Sequence, residues 1–445
     1  MSESLRPPSV DALTRQLASH PDVAGLPRAM LVDAARAGVA SDRSDPMSAA
    51  LQAARAMTRQ LLCPVINATG TLLHTNLGRA QVAASMPRNG LPVRGLNIEL
   101  DLTTGRRGSR YESSDALLRR LTGAEASLVV NNCAASLILV LAALARGRGV
   151  VVSRGELVEI GGGFRIPEII EQSGCTLIEV GTTNRTRRSD YERAIAGHDV
   201  AVVLKVHPSN YRITGFTEDV GVRELATLGR PVVADLGTGL LDATTPWLAD
   251  ATGAQPDLSW IRAEPSIRAW LADGAAVVLA SADKLLGGPQ AGLILGRHDV
   301  VATCGSHPLL RALRPGSLIL SSLQETLLTY AQGAARTLPF WDQALRTVSS
   351  LQNRVGKVVR ALDDVRATGA ACLSTPGGGT MPDTVIDSFG LHVRGTHSDA
   401  LRSWATPIVA RNADGATVLD FRTVDPGDDF VITEALASIL ATHRC

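Results

Sequence analysis

At 445 residues, 45% of them hydrophobic, the chain is too long for one small domain and too apolar to be disordered. Its 44 basic and 43 acidic residues leave a net charge of +1 and only 3% is aromatic, which excludes a global field for nucleic acid and argues against a base-stacking surface. Six scattered cysteines, none in CxxC or metal-ligand spacing, argue against a disulfide scaffold or zinc site and suit a reducing cytosol.

The N-terminus is polar and proline-bearing, without a signal-peptide core. Apolar runs such as 136–145 are too short to span a bilayer. A cytoplasmic protein with no membrane partner is expected.

Residues 1–65 read as helical, with apolar positions at helical spacing (Val10, Leu13, Leu17; Met30, Leu31, Ala34). Arg55, Arg59 and Gln60 make a modestly basic helix before Pro64, most plainly a cap packed on the main body. Over 66–330, short Val/Ile/Leu strands (150–152, 176–180, 200–206, 232–234, 277–280) alternate with helices. That alternation predicts an α/β fold with a mostly parallel central sheet and helices on both faces. Over 331–445 a helix-rich stretch leads to a smaller α+β domain, in which 377–382, 407–410 and 418–421 suggest a small mixed sheet.

Three segments of the large region carry chemistry. Strand 128–130 leads into Asn131, Asn132, Cys133, Ala134 and Ala135 and then the apolar stretch 136–145, so backbone N–H groups at a helix start can cradle a phosphate. The strand before Asp235 ends in that acid and a glycine turn; the acid can keep a pyridine nitrogen protonated. An apolar run then delivers Lys284 to a strand end among apolar residues and glycines, where desolvation frees the amine as a nucleophile. Such a lysine commonly holds pyridoxal phosphate as a Schiff base. Taken singly, each has a plainer reading: an ordinary strand-to-helix connection, a helix cap, a lysine near a turn. Asp235 precedes Lys284 by 49 positions, room for one more strand and its crossover. Phosphate loop, acid, lysine is the chain order of a pyridoxal-phosphate enzyme of the aspartate-aminotransferase-like type (fold type I).

The chain also resembles the bacterial selenocysteine synthase, or L-seryl-tRNA(Sec) selenium transferase, family. The resembling stretches are 66–70, 74–80, 108–111, 121–125, 153–161, 181–186, 205–207, 209–213, 235–237, the lysine segment 281–292, and 311–314. Weaker similarity touches 8–11 and 419–423. The resemblance implies a pyridoxal-phosphate enzyme that converts seryl-tRNA(Sec) to selenocysteinyl-tRNA(Sec). Water leaves to give an aminoacrylyl intermediate, and selenium is added from selenophosphate. It implies that Lys284 holds the cofactor and moves the α-proton, and that Asp235 pairs with the pyridinium. Residues Asn131 to Ala135 would cradle the phosphate. Arg79, Arg311 and Arg314 match the family's selenophosphate-side arginines, which spacing alone would leave as solvated surface groups. His207 and Arg212 are expected to line the pocket, although a lone strand-end histidine is more often structural. Glu156, with Arg154, is a candidate contact to the cofactor ring. The resemblance further implies tRNA binding by residues 1–65 and a homo-oligomeric ring of dimers.

The chain departs from the family pattern at four places. Ser113-Ser114-Asp115 replace a histidine-valine-glutamate triplet, and Cys133 replaces a third asparagine. Gly316-Ser317 stand for aspartate and lysine, and Arg187-Arg188 for histidine-leucine. These changes remove candidate proton carriers and anion contacts. They keep open an alternative, a divergent pyridoxal-phosphate lyase or β-replacement enzyme acting on a free small amino acid.

Overall fold

The computed structural model describes residues 8–23, 25–82, 95–160, 163–250, 252–377 and 379–442. Three helices open the chain: α1 (Val10–Ala18), α2 (Arg28–Ser41) and α3 (Pro46–Gln60). Ser9 and Asp45 cap α1 and α3 through their side chains, and Pro46 starts α3 where its missing N–H is not needed. Leu13, Leu17, Leu31, Ala34, Ala50 and Ala54 close a small core of their own among these helices.

The next strand, β1 (Ile66–Asn67), does not enter the large sheet; it pairs with a strand near the C-terminus. Then follow α4 (Glu112–Thr122), β2 (Ala126–Val130), α5 (Cys133–Ala145), β3 (Gly149–Ser153) and a small antiparallel pair, β4 (Glu159–Ile160) with β5 (Phe164–Arg165). The chain continues through α6 (Ile166–Gln172), β6 (Thr176–Val180), α7 (Arg188–Gly197), β7 (Val200–Val206), α8 (Val222–Leu225), β8 (Val232–Gly237), α9 (Ile267–Ala272), β9 (Val277–Ser281) and β10 (Gly292–Gly296).

Seven of these strands form one sheet in the order β2-β10-β9-β8-β7-β3-β6. Among its neighbouring pairs only those of β10 are antiparallel; the others are parallel. The strands are near-continuous Val/Leu/Ala runs because both faces are covered. Val151, Val203, Ala234 and Val278 pack into one apolar cluster, while Val150, Val152, Val202, Val233 and Val277 pack into the other. Alternate side chains thus serve opposite faces, each fully buried valine stabilising the fold by roughly 1.5–3 kcal/mol.

Helices α10 (His298–Ser306), α11 (Leu309–Leu313), α12 (Ser317–Ala331), α13 (Pro339–Leu345) and α14 (Val348–Leu362) lead to the C-terminal part. There β11 (Ala367–Ser374), β12 (Ile386–Arg394), α15 (Ser398–Arg402), β13 (Ile408–Val409), β14 (Arg411–Ala413), β15 (Ala416–Asp420) and α16 (Asp429–Thr442) follow. The small sheet has the order β11-β12-β15-β14 and every pairing in it is antiparallel, not mixed as expected. Two of the three segments expected in it lie elsewhere. The 407–410 segment supplies β13, which pairs in parallel with β1, and the described residues of 377–382 form turns. Leu72 N and Leu73 N donate to the carbonyls of Thr375 and Pro376, so the 66–73 segment is tied to the C-terminal part.

Candidate active site

Three adjacent parallel strands deliver the site. His207 follows the end of β7, Asp235 lies near the end of β8, and Lys284 follows the end of β9. Carboxyl ends of strands are where open α/β sheets bind ligands. The β8–β9 register shifts between Asp235 and Gly237, an irregularity that re-aims side chains at such an edge. Together with Arg79, Asn132, Cys133, Ala134, Ser209, Ser281, Asp283 and Gln290, these residues line a cavity of about 210 Å³.

Lys284 is 5% exposed. Burial pulls its amine below the ordinary lysine range, and the charge of Arg79 adds to that, against the opposing pull of Cys133, Asp235 and Asp283. Its Nζ donates to the Gly379 carbonyl at 3.2 Å, so a loop of the C-terminal part closes over it. Asp235 is 8% exposed, and burial raises its carboxyl. The Cys133 thiol donates to its Oδ1 at 3.3 Å, and the charges of Lys284 and His207 favour the ionised form. His207 Nε2 lies 3.0 Å from Glu264 Oε1, and its ring meets Trp270 edge-on at 6.2 Å.

The chain has three lysines, at 205, 284 and 357. Lys205 is buried with Nζ 2.7 Å from Glu156 Oε1 and 2.6 Å from Asp219 Oδ1. Burial pulls Lys205 down, but two carboxylates outweigh it and the net direction is up. Lys357 is exposed on α14. Of the two buried lysines, Lys284 is the one with a depressed amine.

Gly237, at φ +71°, leaves the floor of the cavity open. A Cβ there would sit 3.8 Å from Lys284 Nζ, 3.9 Å from Asp235 Oδ1 and 3.9 Å from Ser209 Oγ. The amine and the acid therefore flank one small space. At one wall, Asn132 caps α5 by accepting from Ala135 N at 2.9 Å. The N–H groups of the helix's first residues have no partner within the helix and suit a phosphate. Pyridoxal phosphate fits this donor set: an amine for its aldehyde, an acid for its ring nitrogen and a helix start for its phosphate.

Arg79 occupies the left-handed region at φ +62°, a conformation costing about 1–3 kcal/mol in a non-glycine residue. Its Nη1 binds Asp283 Oδ2 at 2.8 Å, beside Lys284. Arg311 and Arg314 lie elsewhere within the chain. They line a second cavity of about 490 Å³ with Arg107, Arg110, Tyr111 and His307. Arg107, Arg110 and Arg314 all pair with Glu99 there, so positive charge is in excess. Asn131 is exposed; its backbone N donates to Leu313 O, which ties the cradle loop to α11.

Two further expected residues stand outside the Lys284 cavity. Arg212 is exposed on the loop after β7. Glu156 is buried, but Lys205 and the backbone N–H of Val206 occupy its two oxygens at 2.7 Å each. Burial pushes Glu156 up to about 7, the Lys205 ammonium opposing and Asp219 adding to the rise. It braces the end of β7 and does not line the cofactor space. Ser113 and Ser317 line a third cavity, of about 360 Å³. Sequence reading missed Ser209, Ser281, Asp283, Gln290, Glu264 and Gly379. Ser281 and Asp283 flank Lys284 and could have been found by adjacency; Glu264 and Gly379 reach the site only through the fold.

The L-seryl-tRNA selenium transferase family matches residues 65–425. The L-seryl-tRNA(Sec) selenium transferase of Moorella thermoacetica is 44% identical, covering 86% of this chain and 83% of that protein. That of Desulfomicrobium baculatum is 41% identical and covers 98% of each. In fold, a solved D-glucosaminate-6-phosphate ammonia-lyase is similar with a TM-score of 0.57 at 22% identity, over 86% of this chain and 97% of that one. The chain belongs to the L-seryl-tRNA selenium transferase family.

Proposed function

We infer that this protein converts seryl-tRNA(Sec) to selenocysteinyl-tRNA(Sec), using pyridoxal phosphate and taking selenium from selenophosphate. The observation that carries the reading is the placement of Lys284 Nζ and Asp235 Oδ1 around the one space above Gly237. When bound, pyridoxal phosphate withdraws electrons from the seryl α-carbon, so that the poor leaving group at the β-carbon can depart and selenium can add there.

The chain's own residues do the rest. Lys284 would hold the cofactor through Nζ, and the same Nζ, once freed, would take up the seryl α-proton and return it. Its burial keeps the amine uncharged at lower pH than usual, which that proton transfer needs. Asp235 holds the positive charge of the ring nitrogen, the first residues of α5 bind the phosphate, and the Gly379 loop limits water at Nζ. Arg79, oriented by Asp283, offers its remaining N–H groups to an oxyanion such as selenophosphate.

Arg311 and Arg314 bind anionic substrate at the second cavity, and a ring of dimers brings that cavity into use. The helices α1 to α3 bind the tRNA, through exposed arginines such as Arg15, Arg28 and Arg36. A cytoplasmic location fits this substrate; no helix among the described residues is long and apolar enough to cross a membrane. The test is selenium transfer onto seryl-tRNA(Sec) with selenophosphate supplied, scored by the aminoacyl product. Formation of selenocysteinyl-tRNA(Sec) supports the reading. Turnover of free serine or a small β-substituted amino acid, with none of seryl-tRNA(Sec), overturns it.

A further inference from the structure

Cys133 is the first residue of α5, and its Sγ reaches Oδ1 of Asp235 across 3.3 Å. Burial holds the thiol well above its ordinary range, and the charge of Asp235 adds to this. The sulfur therefore keeps its proton and acts as a donor. Lys284 and His207 also face the acid, Ser281 hydrogen-bonds the thiol, and Arg79 and Asp283 stand beside Lys284.

We propose that Cys133 is a positioning residue whose S–H fixes the Asp235 carboxylate and sets how strongly that acid draws the proton of the cofactor's ring nitrogen. The proposal rests on the cofactor assignment above. A thiol is a weak donor, so it withdraws little electron density from Asp235 and leaves the carboxylate relatively basic. A hydroxyl at the same place donates more strongly. It makes the carboxylate less basic, leaves more positive charge on the ring and lowers the proton affinity of the lysine-linked nitrogen. Alanine acts in the opposite sense.

The test is a spectrophotometric pH titration of the visible absorbance of the lysine-linked cofactor in wild type, Cys133→Ser and Cys133→Ala. The midpoint is expected to fall in the serine variant and to rise in the alanine variant, each by about half a pH unit, as a change in one weak hydrogen bond to the acid implies. A residue that only fills space would alter cofactor affinity or melting temperature without moving the midpoint. Midpoints equal to wild type in both variants, or shifted the opposite way, overturn the proposal. If alanine abolishes cofactor binding, the serine variant decides alone: a downward shift supports the proposal, and an unmoved or upward one overturns it. Absence of a visible band in wild type would instead defeat the cofactor assignment, so the two failures are distinguishable.

Discussion

In the proposed site Asp235 and Lys284 divide the cofactor's work, and each makes a separable prediction. Asp235→Asn keeps the shape but loses the charge. A hydrogen bond to a charged group is worth about 1.5–3 kcal/mol, so cofactor affinity should fall roughly 10- to 100-fold, measured by fluorescence titration of apo-protein. For Lys284 the sign follows from its depressed amine. The uncharged form is the nucleophile, so cofactor capture by apo-protein should accelerate with rising pH and level off below the ordinary lysine range. Stopped-flow absorbance would show this; a rate still climbing through that range would contradict the burial argument. The strand-end placement of both was legible in the sequence, because each stands close to an apolar run and the two follow in the chain order of the fold. Glu156 was not. Its partner Lys205 sits within the apolar strand β7, and their contact exists only because β3 and β7 are neighbours.

At the level of elements, the proposed phosphate cradle depends on a close approach between the β2–α5 turn and β10. A Cβ on Gly292 would lie 2.1 Å from the Asn132 carbonyl oxygen, and that oxygen is the acceptor for Ser136 N at the start of α5. Gly292→Ala must push the turn away. Overpacking of this kind costs about 1–3 kcal/mol, so both a lower Tm and weaker cofactor binding are expected, the latter by fluorescence titration. Unchanged cofactor affinity would show that the first turn of α5 does not hold the phosphate. The large sheet was readable from its strand composition because each βαβ unit repeats one local pattern. The small sheet was misread because β13 pairs with β1 from far along the chain, a partner no local pattern reveals. Gly379 was invisible for the same reason: it reaches Lys284 across 95 positions.

Across the whole molecule, α1 to α3 close their own core, and Arg59 reaches the Ser403 carbonyl at 3.4 Å. Deleting residues 1–65 should therefore spare the cofactor's visible absorbance and abolish tRNA binding, measured by filter retention across a salt series. Truncated protein that binds tRNA(Sec) with unchanged affinity and salt slope would remove these helices from recognition. The departures at Ser113 and Ser317 fall together, lining one cavity apart from the Lys284 space. The central claim is that Lys284 alone holds the cofactor, and the small lysine complement of the chain makes that directly measurable. Protein loaded with pyridoxal phosphate is reduced with borohydride, digested and examined by mass spectrometry. The account predicts the phosphopyridoxyl mass on the peptide containing Lys284 and on neither the Lys205 nor the Lys357 peptide. Label on either of those two, or on no lysine at all, would contradict it.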